Sequence, residues 1–116
     1  MQSVNLIADA RYTDDKPNVL HAVKTDQLLV DGVYLKGMQA MGWHKLPDAD
    51  RAFLCVQGSG ELVLETTAAG NELRIPLAPG AVALAPRGVF FDVVAGRQGM
   101  VCSAISKFPV RVVEKG

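Results

Sequence analysis

The chain has little of what marks a secreted, nucleic-acid-binding or membrane protein. Its 116 residues hold two cysteines, too few for a disulfide framework. Cys55 and Cys102 each sit in an apolar run, where a free thiol packs as a small hydrophobe. Neither sign of charge is in excess, since 12 Lys and Arg balance 12 Asp and Glu. No basic run exceeds two residues, which removes the electrostatic footprint that nucleic-acid binding needs. No apolar stretch approaches the roughly 20 residues of a membrane span. The opening MQSVNLIADARYTDD lacks the basic-then-apolar order of a signal peptide. A cytoplasmic protein without nucleic-acid or membrane partners is the expectation.

What is present is β-forming. A chain of this length has room for one domain that buries about two thirds of its unfolded surface. Gly and Pro punctuate it, and the runs between are rich in Val, Leu, Ile and Phe, a pattern of many short strands. Gln27-Leu28-Leu29-Val30, Asp31-Gly32 and Val33-Tyr34-Leu35 read as strand, turn and strand, because Asp-Gly is a strong hairpin signal. A second hairpin is expected from Glu61–Thr67 to Glu72–Leu77 across Ala68-Ala69-Gly70-Asn71. Its second arm alternates Leu73, Ile75 and Leu77 with Glu72, Arg74 and Pro76, one face buried and one wet. Pro76 belongs at an edge or a strand end, having no ladder donor. Further strands are expected over Ala81–Ala85, Val89–Ala95 and Met100–Lys107. Asp14-Asp15-Lys16-Pro17-Asn18 is a polar turn cluster, so residues 1–27 read as an N-terminal arm and residues 28–116 as the barrel. His21, within that arm, reads as an exposed strand residue.

Two segments carry a resemblance. Met41 to Gly60 reads MGWHKLPDADRAFLCVQGSG and Leu77 to Asp92 reads LAPGAVALAPRGVFFD. Phe53-Leu54-Cys55-Val56-Gln57-Gly58-Ser59-Gly60 matches a strand and glycine turn, and Gly80, Pro86 and Gly88 match a glycine–proline–glycine skeleton. Over roughly residues 28 to 107, as counted from these matched positions, the chain resembles the small cupins. The resemblance implies an all-β double-stranded β-helix, a jelly-roll-like barrel. It also implies a dimer in which terminal strands join the partner's sheet, with the arm and the alternating tail Phe108–Val113 as candidates.

In that family three histidines and a glutamate hold a metal. Here the corresponding positions are His44, Leu46, Arg51 and Phe91, so one ligand of four survives. Leucine and phenylalanine offer no lone pair and arginine repels a cation, so no metal and no cofactor is expected. Asp50 does not replace the missing carboxylate, because neighbours on a strand point to opposite faces.

Period-two alternation about the matched positions gives an inward set of His44, Leu46, Arg51, Phe53, Cys55 and Phe91, with Val93 beyond. Such a pocket, apolar with one cation and one imidazole, suits a small apolar or carboxylate-bearing ligand gripped by Arg51. Arg51 has a second reading, on the outer face and paired with Asp48 or Asp50. His44 also has one, as a loop histidine on the surface beside Trp43 and Lys45. Trp43 packs at the barrel mouth or at a dimer contact. Of Phe90 and Phe91, one ring must line the barrel in either register.

Three functional classes follow. One is a metal-free module that binds a small molecule. Another is an enzyme, using His44 as acid or base beside Arg51, or a metal-dependent dioxygenase or isomerase with unconventional ligands. The third is a protein-interaction domain.

Overall fold

The computed structural model describes residues 2–66 and 70–116. Among them no residue is helical, hence none lies in a helix able to cross a membrane. The strands are β1 (Asn18–Lys24), β2 (Leu28–Leu35), β3 (His44–Lys45), β4 (Arg51–Glu65), β5 (Glu72–Leu77), β6 (Val82–Ala85), β7 (Phe91–Lys107) and β8 (Val113–Glu114). Every named pairing is antiparallel.

Two of these strands are long enough to serve both layers of the barrel. The first half of β4 pairs with β6 and with the second half of β7, which in turn pairs with β2 and so reaches β1. The second half of β4 pairs with β5 and with the first half of β7, which meets β3 and through it β8. The ladder shifts register between Gly58 and Gly60, and there the strands bend from one layer into the other. Gly58 has φ +76°, and a Cβ on it would lie 2.2 Å from the carbonyl oxygen of Gly99. Only glycine allows both that backbone and that approach. The expected glycine turn after Val56, and the expected break between Ala95 and Met100, are therefore bends inside continuous strands.

Alternation decides what fills the space between the layers. Val33, Leu35, Leu46, Phe53, Cys55, Leu62, Leu77, Phe91, Val93, Met100 and Cys102 form one buried cluster. Phe53 and Phe91 pack edge to face with ring centroids 5.7 Å apart. In β5 the expected alternation holds at Leu77, which is buried, but Leu73 is 53% exposed where the hairpin projects past the core. Pro76 faces Glu61 in a strand whose pairing partner is β4, an edge position that needs no second ladder donor. Ala68 and Ala69 of the expected connection, and Thr67 before them, lie outside the described residues.

The Asp31-Gly32 hairpin is corrected. Both residues lie inside β2, and the chain reverses instead at residues 25–27, where the Thr25 hydroxyl accepts hydrogen bonds from the amides of Gln27 and Leu28. Gly32 gives room to Leu6 of the N-terminal segment, whose Cδ2 would stand 2.8 Å from a Cβ placed there. The division expected at residue 27 thus falls at a hairpin turn, and β1 is a strand of this chain's own sheet. Upstream of β1, the Tyr34 hydroxyl donates to the Leu6 carbonyl at 2.7 Å, and Gln2 exchanges two hydrogen bonds with the Lys24 backbone. The tail is likewise tied within the chain, with Val113 and Glu114 facing Lys45 and His44.

Candidate functional site: a cleft above a buried ion pair

Arg51 opens β4 and is 7% exposed. Its Nη2 donates to Asp31 Oδ2 at 2.5 Å, which settles the two readings of this residue in favour of the inward one. Asp48 is bound instead to Arg111, and Asp50 accepts the backbone N–H of Arg87. Asp31 sits mid-strand on the same face as Val33 and Leu35, and is 3% exposed. Its other oxygen, Oδ1, lies 2.6 Å from Nδ1 of His21, its cross-strand neighbour in β1. A carboxylate only accepts, so Nδ1 carries the proton and a neutral His21 keeps its lone pair on Nε2.

The three side chains form a row of guanidinium, carboxylate and imidazole. A lone charge buried to this depth would be prohibitive, and the pair tolerates burial because each partner neutralises the other. One donor is left over. Arg51 Nε is buried and has no hydrogen-bond partner, a deficit worth about 1–3 kcal/mol when a buried polar group stays unmade.

A cleft of about 510 Å³ opens over this pair. Its lining includes the buried Asp31 and Arg51, Val19 of β1, and Met41, Gly42, Trp43 and His44 of one continuous segment. Val112, Glu114 and Lys115 of the C-terminal segment complete the lining. The segment from Met41 to His44 is held by backbone and side-chain hydrogen bonds. The Gly42 amide donates to the buried Asp92 carboxylate at 2.9 Å, the Met41 amide to the Val93 carbonyl at 3.0 Å, and the Lys115 amide to the Trp43 carbonyl at 3.1 Å. His44 Nδ1 is 2.7 Å from the Gly42 carbonyl, so that nitrogen holds the proton. Its ring lies 4.3 Å from that of Phe91, centroid to centroid. Lys115 stands over the Trp43 and Phe90 rings and pairs with Glu65.

Of the residues expected to line a pocket, His44 and Arg51 do so. Leu46, Phe53, Cys55, Phe91 and Val93 are 0–1% exposed and pack as core beneath the cleft. Asp31 and His21 were missed. The signal for Asp31 was present, because alternation from Leu29 through Val33 and Leu35 puts it on the inner face; the Asp-Gly turn motif masked it. His21 gave no signal, since its partner lies across a strand pair.

The positions that the cupin resemblance matches to metal ligands do not fit a metal here. Leu46 and Phe91 fill their places with hydrocarbon, and Arg51 brings positive charge held by Asp31. Among the described residues no three His, Cys, Asp or Glu side chains converge. Burial raises the thiol pKa of both cysteines, that of Cys102 to about 12, with Cys55 beside it as a lesser cause. Neither offers a ready thiolate.

Two curled antiparallel layers joined by strands common to both define the fold as a double-stranded β-helix, the fold of the small cupins. Solved structures agree. The TT1209 protein from Thermus thermophilus superposes with a TM-score of 0.82 over 92% of this chain and 97% of its own, at 21% identity. A Klebsiella pneumoniae protein with a double-stranded β-helix domain gives 0.80 over 96% and 88%, at 13% identity. An RmlC-like cupin from Desulfovibrio desulfuricans gives 0.75 over 90% and 95%, at 24% identity. No family model matches the chain, and no curated protein matches it. The likeness is one of fold, and a fold of this kind hosts many unrelated functions.

Proposed function

We propose that this protein binds a small molecule bearing a carboxylate or a similar planar acidic group, seated in the cleft with its oxygen on Arg51. The observation that carries the reading is that Arg51, a buried cation lining the cleft, has an Nε with no hydrogen-bond partner. A ligand oxygen there supplies the missing acceptor in a charge-assisted bond, roughly twice as strong as a neutral one. Met41, Trp43 and Val112 would cover an apolar body, and the volume suits a small organic ligand. Asp31 keeps the guanidinium oriented and lowers the field an incoming anion feels, which favours a modest affinity and a singly charged ligand. The cytoplasmic location expected from the sequence belongs to the same reading.

The test is thermal unfolding of the full chain with benzoate, cyclohexanecarboxylate and benzamide. The two carboxylates are expected to raise the melting temperature and the amide isostere not. Arg51→Lys, which keeps the charge and loses the planar fork, is expected to weaken carboxylate binding at least tenfold. No rise with either acid at 100-fold the protein concentration or above, in a folded protein, rejects the proposal.

A second reading is favoured by one observation, the His21–Asp31 bond. An imidazole oriented by a carboxylate is the usual arrangement of a general base, and the Arg51 cation two groups away would stabilise an enolate. Here His21, in place of His44, has the carboxylate behind it. Exchange of the α-protons of a 2-oxo acid into deuterated buffer, lost in His21→Gln, would support catalysis; exchange at the buffer rate leaves a binder.

A further inference from the structure

The cleft holds a second polar feature, opposite to Arg51 in its hydrogen-bonding character. In the pairing of β3 with β8, His44 faces Glu114. Side chains directly opposite each other in an antiparallel pair share one face of the sheet, with Cβ atoms about 4.5–5.5 Å apart. Both residues line the cleft, whereas their strand neighbours Lys45 and Val113 do not. The register therefore sets an imidazole and a carboxylate side by side on the cleft.

Both of these groups accept. The Nδ1 proton of His44 is committed to the Gly42 carbonyl at 2.7 Å, and a neutral imidazole then carries its lone pair on Nε2. Gly42 is itself fixed, since its amide donates to Asp92 at 2.9 Å. The ring of His44 leans on that of Phe91, with centroids 4.3 Å apart. Tautomer and ring plane are thus set before any ligand arrives. Glu114, exposed in β8, accepts at both oxygens when ionised. Neither group can satisfy the other without a proton between them. Arg51 is the reverse case, a group of donors alone.

We infer that the cleft takes a hydroxy acid, with its carboxylate on Arg51 and its hydroxyl donating to the pair of His44 and Glu114. This rests on the carboxylate reading of the cleft and adds a donor elsewhere on the same ligand. A hydroxyl supplies the one proton that two neighbouring acceptors lack. A plain carboxylic acid leaves the pair to water, and a dicarboxylate meets Glu114 with like charge. The volume of about 510 Å³ lies within the roughly 300–1,000 Å³ of small-molecule sites, which gives room for a ring between the two polar groups.

The test is isothermal titration of the full chain with benzoate, meta- and para-hydroxybenzoate and the matching methoxybenzoates. One hydroxy isomer is expected to bind about five- to tenfold tighter than benzoate, the gain of one hydrogen bond. Its methoxy counterpart, which accepts but cannot donate, is expected to bind no tighter than benzoate. In His44→Phe, which keeps a ring against Phe91 and loses the acceptor, the gain is expected to fall below about twofold while benzoate binds as before. Should that variant unfold, Glu114→Ala decides, an exposed substitution expected to remove at least half of the gain. Benzoate bound with no gain for either hydroxy isomer, a gain shared by the methoxy compounds, or one that survives in both variants overturns the inference and leaves the carboxylate reading standing. Binding of para-aminomethylbenzoate that is tighter than that of either hydroxybenzoate assigns the acceptor pair to an ammonium and likewise overturns it. If benzoate and every derivative fail to bind, the carboxylate reading falls and the inference with it.

Discussion

Two neighbouring parts of the barrel interior solve the problem of burial in opposite ways. Beneath the cleft, Leu46, Phe53, Cys55 and Phe91 exclude water with hydrocarbon and sulfur, and no polar side chain there needs a partner. In the lining of the cleft, Asp31 and Arg51 are nearly as buried, yet each depends on the other. The apolar part owes its stability to volume. The ionic part owes it to pairing, and one of its donors, the Nε of Arg51, is left without a partner. Of the positions that the cupin resemblance matches to metal ligands, Leu46 and Phe91 fall in the first part and Arg51 in the second.

Single and paired substitutions sharpen that contrast most. Phe91→Ala is expected to lower stability by about 3–5 kcal/mol, because the cavity beside Phe53 and His44 cannot collapse. Asp31→Ala is expected to cost a similar amount, about 3–5 kcal/mol, by stranding the Arg51 charge. Adding Arg51→Met to Asp31→Leu should restore most of that loss, whereas no second substitution at a charged site would help Phe91→Ala. Urea unfolding of the four proteins measures this. A double variant as weak as Asp31→Ala would mean that the two residues do not act as a pair.

A smaller effect concerns pH. In the unfolded chain a cysteine ionises near its ordinary value of 9.0, but burial holds Cys102 protonated in the fold up to about 12. Below pH 9 both states keep the proton and stability is undiminished. Between pH 9 and about 12 only the unfolded state releases it, so stability falls by up to about 1.4 kcal/mol per pH unit. The Cys102→Ala variant should show a flatter decline over that window in denaturant titrations at pH 8, 10 and 11. Equal slopes in the two proteins would refute the burial of this thiol.

The fold was legible in the sequence because the signals that define it are local. Gly and Pro spacing, β-rich runs and the matched positions at Gly58, Gly80, Pro86 and Gly88 are enough to place a double-stranded β-helix. The bends at Gly58–Gly60 and Gly96–Gly99 were read as chain breaks because a turn and a corner use the same residue type. Half of the candidate site was legible as well: His44 and Arg51 came from the family frame. Asp31 was not, for a physical reason. An Asp-Gly pair favours a turn by its own backbone preferences, and it is overridden here by a bond to Arg51, 20 residues onward. Long-range pairing of that kind leaves no trace in a local pattern. His21 depends on the same pairing at one further remove.

The strands β4 and β7 each belong to both layers and are hydrogen-bonded to one another in each. Neither layer can therefore melt while the other persists, since opening one tears strands out of its neighbour. Cooperativity in this barrel is a matter of shared backbone before it is a matter of side-chain packing. The cleft, bordered by the short pairing of β3 with β8, lies at the margin of that common frame.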